Sequence, residues 1–254
     1  MATRTAPGRV LSEAQLRELL ALTKQADTVE LKLTVPDANQ RSAVMSLGMD
    51  PLEGQIRQVV FFDTPELALY DVGLVVRARR VQGRGDDSVV KLRPIEPAHV
   101  KCKLRKTTGF GIEVDAMPGG FVCSASFKGA AGNDEIRGAV TGGRPIRKLF
   151  SKAQRGFFAA HAPDGIELDQ LSVLGPIPII KLKVSPKKFG RKLVGELWLY
   201  PDGSQIVELS MKAKPSEAFQ VATEAKSFLS SVGVDLAGEQ QTKTKTALQF
   251  FAGK

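Results

Sequence analysis

The sequence has 254 residues, 43% of them hydrophobic and 25% charged, with a formal net charge of +9. That composition excludes a largely disordered chain, and no run approaches the ~18 apolar residues of a membrane-spanning helix. The positive excess favours anionic partners, and two cysteines, Cys102 and Cys123, are too few for a disulfide framework and fit reduced thiols in a cytoplasmic protein.

Residues 1–11 are basic, lack an apolar segment and read as a flexible tail ahead of a single domain over 12–254. Ser12 and Gln15 have the spacing of a capping box, and Leu16, Leu19 and Leu20 continue at helical spacing to about Ala26. A strand over Thr28–Val35 is closed by Pro36, and Asp37 caps a second helix running to about Leu47. From Arg57 the pattern changes to period two. Strands are expected at Arg57–Asp63, Leu74–Val81, Ser88–Arg93, Val100–Arg105, Gly111–Asp115, Gly165–Leu171, Ile179–Val184, Leu193–Tyr200 and Gln205–Lys212. Turn-forming clusters such as Pro94–Pro97 and Pro201-Asp202-Gly203 separate them. A helical insertion is expected over Asn133–Val140. An amphipathic helix follows over Ser216–Val232, with Ala218, Ala222, Ala225, Leu229 and Val232 on its buried stripe and Gly233 at its end.

The strands share an unusual polar face. Side chains two apart on a strand point the same way. Glu30 and Lys32 therefore lie opposite Val29, Leu31 and Leu33, and Arg77 with Arg79 opposite Val76 and Ala78. Lys91 with Arg93, and Lys101, Lys103 and Arg105, repeat the pattern in cations. Glu113 with Asp115, Glu167 with Asp169, and Glu208 do so in carboxylates. One such strand would fit a solvated face. Repetition across seven strands points instead to a barrel with its charges turned inward, where a polyanion and metal ions neutralise like charges that would otherwise repel.

The segment Phe61-Phe62-Asp63-Thr64-Pro65-Glu66-Leu67-Ala68-Leu69, followed by Gly73-Leu74-Val75-Val76-Arg77-Ala78-Arg79-Arg80, resembles the most specific motif of the CYTH, or triphosphate-tunnel, superfamily. That superfamily includes class IV adenylate cyclases and thiamine triphosphatases, and the resemblance runs over roughly residues 28–250. It implies an α+β fold built on a closed antiparallel β-barrel of about eight strands with helices packed outside. It further implies phosphate binding by Lys32, Arg77, Arg79, Lys91, Arg93, Arg155 and Lys243, and binding of Mg²⁺ or Mn²⁺ by Glu30, Glu113, Asp169 and Glu208. Thr28-Val29-Glu30-Leu31-Lys32 stands where the family has Glu-x-Glu-x-Lys, and Ser210 where a late Glu-x-Glu pair would end, so two family glutamates are replaced. Leu174 through Lys183 reads as an added hairpin.

The activity implied is metal-dependent hydrolysis of inorganic triphosphate, a nucleoside triphosphate or thiamine triphosphate. The alternatives are class IV adenylate cyclase-like cyclisation of ATP and a non-catalytic module binding polyphosphate or nucleotides, the latter motivated by Thr28 and Ser210. Phosphoryl transfer to water needs positioning and charge stabilisation rather than a side-chain nucleophile. This agrees with the absence of a Walker A motif and of a Gly-x-Ser-x-Gly elbow. His99 and His161 are isolated. Nucleic acid is disfavoured as a partner, because the aromatic residues do not interleave with the basic strands as stacking platforms would.

Overall fold

The computed structural model describes residues 12–132, 134–235, 240 and 242–253; the tail expected over residues 1–11 lies outside them. Ser12 accepts a hydrogen bond from the Gln15 amide while Gln15 Oε1 accepts from the Ser12 N–H, and this reciprocal cap starts α1 (Glu13–Thr23). The chain continues through β1 (Thr28–Val35), α2 (Gln40–Ser46), β2 (Gln55–Asp63), α3 (Ala68–Asp71), β3 (Leu74–Val81) and β4 (Asp86–Leu92). After α4 (Cys102–Arg105) come β5 (Phe110–Met117), β6 (Gly120–Ala131), α5 (Glu135–Val140) and α6 (Lys152–Ala159). The remainder is β7 (Ser172–Val184), β8 (Leu193–Leu199), β9 (Gln205–Ala213), α7 (Ala218–Ser231) and α8 (Lys243–Phe251).

The strands close into a barrel in the order β1-β5-β6-β4-β3-β2-β7-β8-β9. The expected closed barrel is present, with nine strands rather than about eight. It is also not wholly antiparallel. β1 lies between β9, which runs against it, and β5, which runs with it, so that Thr28 faces Glu113 and Glu30 faces Asp115.

Three expected elements are different. Val100–Arg105 is not a strand. Residues 102–105 form the one-turn helix α4, and Lys101 and Lys103 are exposed away from the barrel. Its alternating charges are too short a run to separate a strand from a solvated turn. Gly165–Leu171 is not a strand either. Glu167 and Gln170 form a capping box around a 3₁₀ turn at Leu168–Gln170, which takes the backbone groups a ladder would need. The expected hairpin at 174–183 is instead the middle of β7, which pairs with β2 on one side and β8 on the other. Gly175, at φ 131, sits where its register against β2 shifts, and a Cβ there would approach Val59 O to 3.0 Å.

The apolar strand faces point outward beneath the helices. α2 and α7 cover Leu33, Val35, Leu193 and Leu209, and Leu19 of α1 joins Val29, Ile112 and Val114. The segment between β6 and β7 lays Ile136, Leu149, Phe157 and Phe158 on Val60, Val76, Val90 and Phe127. Gln154 anchors it. Its side chain is fully buried, donating to Ser88 O, Ser88 Oγ and Phe127 O and accepting from the Ser151 amide. A separate apolar block lies on the inward side of the sheet. Val59, Phe61, Ile177, Ile179, Trp198 and Ile206 meet Ala247 and Leu248 of α8 there.

Candidate active site within the barrel

Residues directly opposite on neighbouring strands project to the same side of a sheet. Register therefore follows one inward surface around the barrel. Glu30 opposes Lys212, Lys32 opposes Ser210 and Thr34 opposes Glu208. Glu208 opposes Glu196, which opposes Lys181, which opposes Gln55. On β2, Val59 and Phe61 oppose Arg79 and Arg77; Arg79 in turn opposes Asp87, and Lys91 opposes Ser126. Glu113 opposes Ser124 and closes the circuit against Thr28.

The turn within the most recognisable motif positions this site without lining it. Asp63 is buried and accepts from the backbone amides of Thr64 (2.7 Å), Leu69 (2.9 Å) and Tyr70 (3.0 Å). Burial pushes its carboxyl above the usual range even so. Those bonds fold the β2–β3 connection back through Leu67, which takes a left-handed conformation (φ 66), and set β3 to carry Arg77 and Arg79 inward.

The charges form two ion-pair centres. In the first, Asp115, 1% exposed, meets Lys32 Nζ at 2.8 Å and Lys91 Nζ at 3.1 Å. Lys32 also reaches Glu30 at 3.2 Å, and Lys212 pairs with Glu113, which accepts from Thr28 Oγ1 as well. Burial opposes ionisation of Asp115, but the two ammonium groups outweigh it and hold the carboxyl far below its ordinary range. Burial likewise opposes the charge on Lys32, and Asp115 with Glu30 overcomes it, raising Lys32 above a usual lysine. Lys91 shares Asp115 with Lys32, so burial wins there and its pKa is lowered.

In the second centre Lys243, at the start of α8, bridges Glu196 and Glu208, with Glu208 at 2.7 Å, and lies 5.1 Å above the Trp198 ring. Lys181 reaches Glu196 at 2.9 Å. Burial alone would raise Glu196; Lys243 and Lys181 instead hold it well below the usual range.

Three guanidiniums facing the interior, Arg57, Arg77 and, at one end, Arg93, have no carboxylate in ion-pair contact among the described residues. Arg77 makes no hydrogen bond or ion pair there. Burial and the neighbouring charge of Arg79 both lower its pKa. Arg57 bonds only to the neutral Gln55. Arg79 is paired, meeting Asp87 at 2.6 Å.

Glu30, Glu113 and Asp115 can each bring one carboxylate oxygen within 4.8 Å of the other two. An all-carboxylate set of this size suits a hard divalent cation that keeps several waters, as Mg²⁺ does. The residues present thus fit the ion implied by the resemblance, with Asp115 in the place expected of Asp169 or Glu208.

Of the expected site residues, Glu30, Lys32, Arg77, Arg79, Lys91, Glu113, Glu208 and Lys243 come together inside the barrel. Arg93 lies at one end, lining a cavity of about 40 Å³ with Lys32, Asp115, Glu208 and Lys243. Arg155 and Asp169 are elsewhere. Arg155, on α6, donates to Phe150 O, and Asp169 accepts from the Arg147 amide and pairs with its guanidinium. Both line an outer cleft of about 430 Å³ against Phe158, Pro163 and Leu168. The strand that would have turned Asp169 inward is the 3₁₀ turn described above.

Sequence reasoning did not assign roles to Asp115, Glu196, Lys181, Arg57 or Lys212. Asp115 shares the alternation of Glu113 and was legible. Glu196 was a lone charge on a strand whose other inward residues, Val194 and Trp198, are apolar, so no pattern marked it.

No protein-family model and no curated protein sequence matches the chain. Among solved structures it is similar to a Bacillus halodurans protein named a "putative adenylate cyclase", with TM-score 0.61 and 11% identity, covering 87% of this chain and 97% of that one. It is also similar to a Hippeastrum protein named as an adenylyl cyclase candidate with a dominant triphosphatase activity, with TM-score 0.61 and 16% identity, covering 89% of this chain and 95% of that one. These likenesses establish the fold, a closed β-barrel with helices packed outside it.

Proposed function

We propose that this protein is a metal-dependent triphosphatase that binds a linear triphosphate inside the barrel. The observation that carries the reading is Arg77. It is a guanidinium on the inward surface with no counter-ion among the described residues, adjoining Arg79 and facing the carboxylate set across the interior. A planar guanidinium matches two phosphate oxygens at once, and an anion there relieves the repulsion between Arg77 and Arg79.

Binding works by exchange of partners. The cavity of about 40 Å³ beside Lys32, Asp115 and Lys243 holds a few waters at most, and the ammonium groups of Lys32, Lys91 and Lys212 are already paired with carboxylates. Phosphate oxygens therefore take over the ammonium groups of Lys32, Lys91 and Lys212 from their present carboxylates. Glu30, Glu113 and Asp115, relieved of those partners, are the residues that would hold Mg²⁺ or Mn²⁺. Such an ion, when bound, polarises a phosphoryl oxygen and lowers the pKa of bound water. Arg77, Arg79 and Lys91 neutralise the charge on the transferred phosphoryl group, and the apolar block of Phe61, Ile177 and Trp198 keeps bulk water from one side of the interior.

A second reading, triphosphate binding without turnover, is favoured by Thr28 and Ser210. Both place neutral hydroxyls on the inward surface, Thr28 donating to Glu113 and Ser210 opposite Lys32. A single screen separates the readings. Purified protein is incubated with tripolyphosphate, ATP, GTP or thiamine triphosphate and Mg²⁺ or Mn²⁺, with orthophosphate release measured and products identified by mass spectrometry. The proposal requires orthophosphate release that falls at least 100-fold in Arg77→Gln. Saturable binding without release supports the second reading, and cyclic AMP as the product identifies a cyclase. Neither binding nor turnover refutes all three.

A further inference from the structure

We propose that Arg57 is a further substrate-binding residue, a guanidinium that grips the phosphate chain on the β2 side of Arg79. The inference rests on the reading of the barrel as a triphosphate site and adds to it a ligand from a strand to which the sequence pattern gave no phosphate contact. Arg57 is 8% exposed and lies on the inward surface of β2, between Val81 of β3 and Ile179 of β7.

A guanidinium buried to this degree ordinarily has a carboxylate partner, because an unpaired charge away from water is costly. Here Nε and Nη2 donate to one neutral acceptor, Gln55 Oε1, at 3.1 and 2.6 Å. Glu196 and Asp87 are close enough for their fields to favour the charge, but both are committed, Glu196 to Lys181 and Lys243 and Asp87 to Arg79. Burial and the adjacent Arg79 act in the opposite direction and leave the Arg57 pKa lowered.

Gln55 does not neutralise the group; it orients it. With the Nε–Nη2 edge clamped, the Nη1 side is left for another acceptor, and the acceptor that suits an Arg beside an Arg is an anion. Arg77 and Arg57 each feel Arg79 as a neighbouring like charge. Arg77, Arg79 and Arg57 therefore form a row in which, among the described residues, only the middle one has a counter-ion. A linear oligophosphate, with charge distributed along its length, is the class of ligand that satisfies such a row.

The test measures tripolyphosphate binding by isothermal titration calorimetry and thermal unfolding of the ligand-free protein, for the intact protein and for Arg57→Gln, Arg57→Lys and Arg77→Gln. Losing one charge-assisted contact weakens tripolyphosphate binding by about 10- to 100-fold in Arg57→Gln. The melting temperature without ligand stays equal or rises, because an unpaired buried charge has been removed. Arg57→Lys, which keeps charge but not the fork, loses affinity several-fold. Undiminished affinity in Arg57→Gln, or a lowered melting temperature with unchanged affinity, makes Arg57 a packing residue and overturns the inference. Should Arg57→Gln not fold, unchanged affinity in Arg57→Lys overturns it and a several-fold loss supports it. Failure of the broader reading looks different: the intact protein then does not bind tripolyphosphate, or Arg77→Gln binds it equally well.

Discussion

Asp115→Asn tests the electrostatics of the barrel at its most concentrated point. Asp115 is 1% exposed and is the ion-pair partner of both Lys32 and Lys91. The amide keeps the volume and removes the charge. Lys32 retains Glu30 at 3.2 Å, whereas Lys91 is left with no ion-pair partner among the described residues. Removing one member of a buried pair costs about 3–5 kcal/mol. For a chain of this length, at about 2–4 °C per kcal/mol, that is a drop in melting temperature of roughly 6–20 °C.

The pH dependence carries the same signature. A carboxylate whose folded pKa is depressed stabilises the protein above its unfolded pKa, and that contribution is lost as pH falls through the folded value. The intact protein therefore loses stability steadily on the acid side of pH 4, and Asp115→Asn lacks that part of the slope. Urea denaturation at pH 7, 4 and 3 measures both. Adding Lys91→Met to Asp115→Asn removes the stranded ammonium and recovers much of the loss. A cost below about 1 kcal/mol at pH 7, or an unchanged acid slope, would mean that Asp115 is no more than a weakly coupled, solvent-screened partner of Lys32 and Lys91.

Three other outcomes follow from the packing. Cys123 is 2% exposed and its thiol is pushed up to about 11 by burial, while Cys102 is exposed, so an aromatic disulfide reagent at pH 8 titrates one thiol in the folded protein and two in urea. Gln154→Ala strips the hydrogen-bond partners from Ser88, Phe127 O and the Ser151 amide, and lowers unfolding free energy by about 2–4 kcal/mol in urea titrations. Lys243→Met leaves Glu196 and Glu208 opposed across β8 and β9 without their shared cation. It destabilises the protein by about 2–4 kcal/mol and changes the emission of Trp198, the single tryptophan of the chain, which a fluorescence spectrum reads directly.

The barrel was legible because inward charge alternates with outward hydrophobics over β1, β3, β4, β5 and β9, a signal set by the two-residue repeat of a strand. β6 escaped notice since its inward residues include Ser124 and Ser126, small hydroxyls that resemble a linker. α8 escaped because Ala247 and Leu248 bury one short stretch against Trp198 and Phe61, a contact between distant parts of the chain. The charge pattern also misled. Lys101, Lys103 and Arg105 alternate as well as any strand, and Glu167 with Asp169 does too, yet both segments have local turn geometry that satisfies their backbone. What alternation could not show was pairing. The sharing of Asp115 by Lys32 and Lys91, and the lack of a carboxylate contact for Arg77 and Arg57 among the described residues, depend on which strands are neighbours.

Anomalous diffraction from crystals grown with Mn²⁺ and tripolyphosphate locates metal and phosphate in the barrel without relying on turnover. A manganese peak is expected among Glu30, Glu113 and Asp115, with phosphate density against Arg77. Manganese and phosphate confined to the outer cleft of Arg147, Arg155 and Asp169, with Asp115 still closed on Lys32 and Lys91, would contradict it.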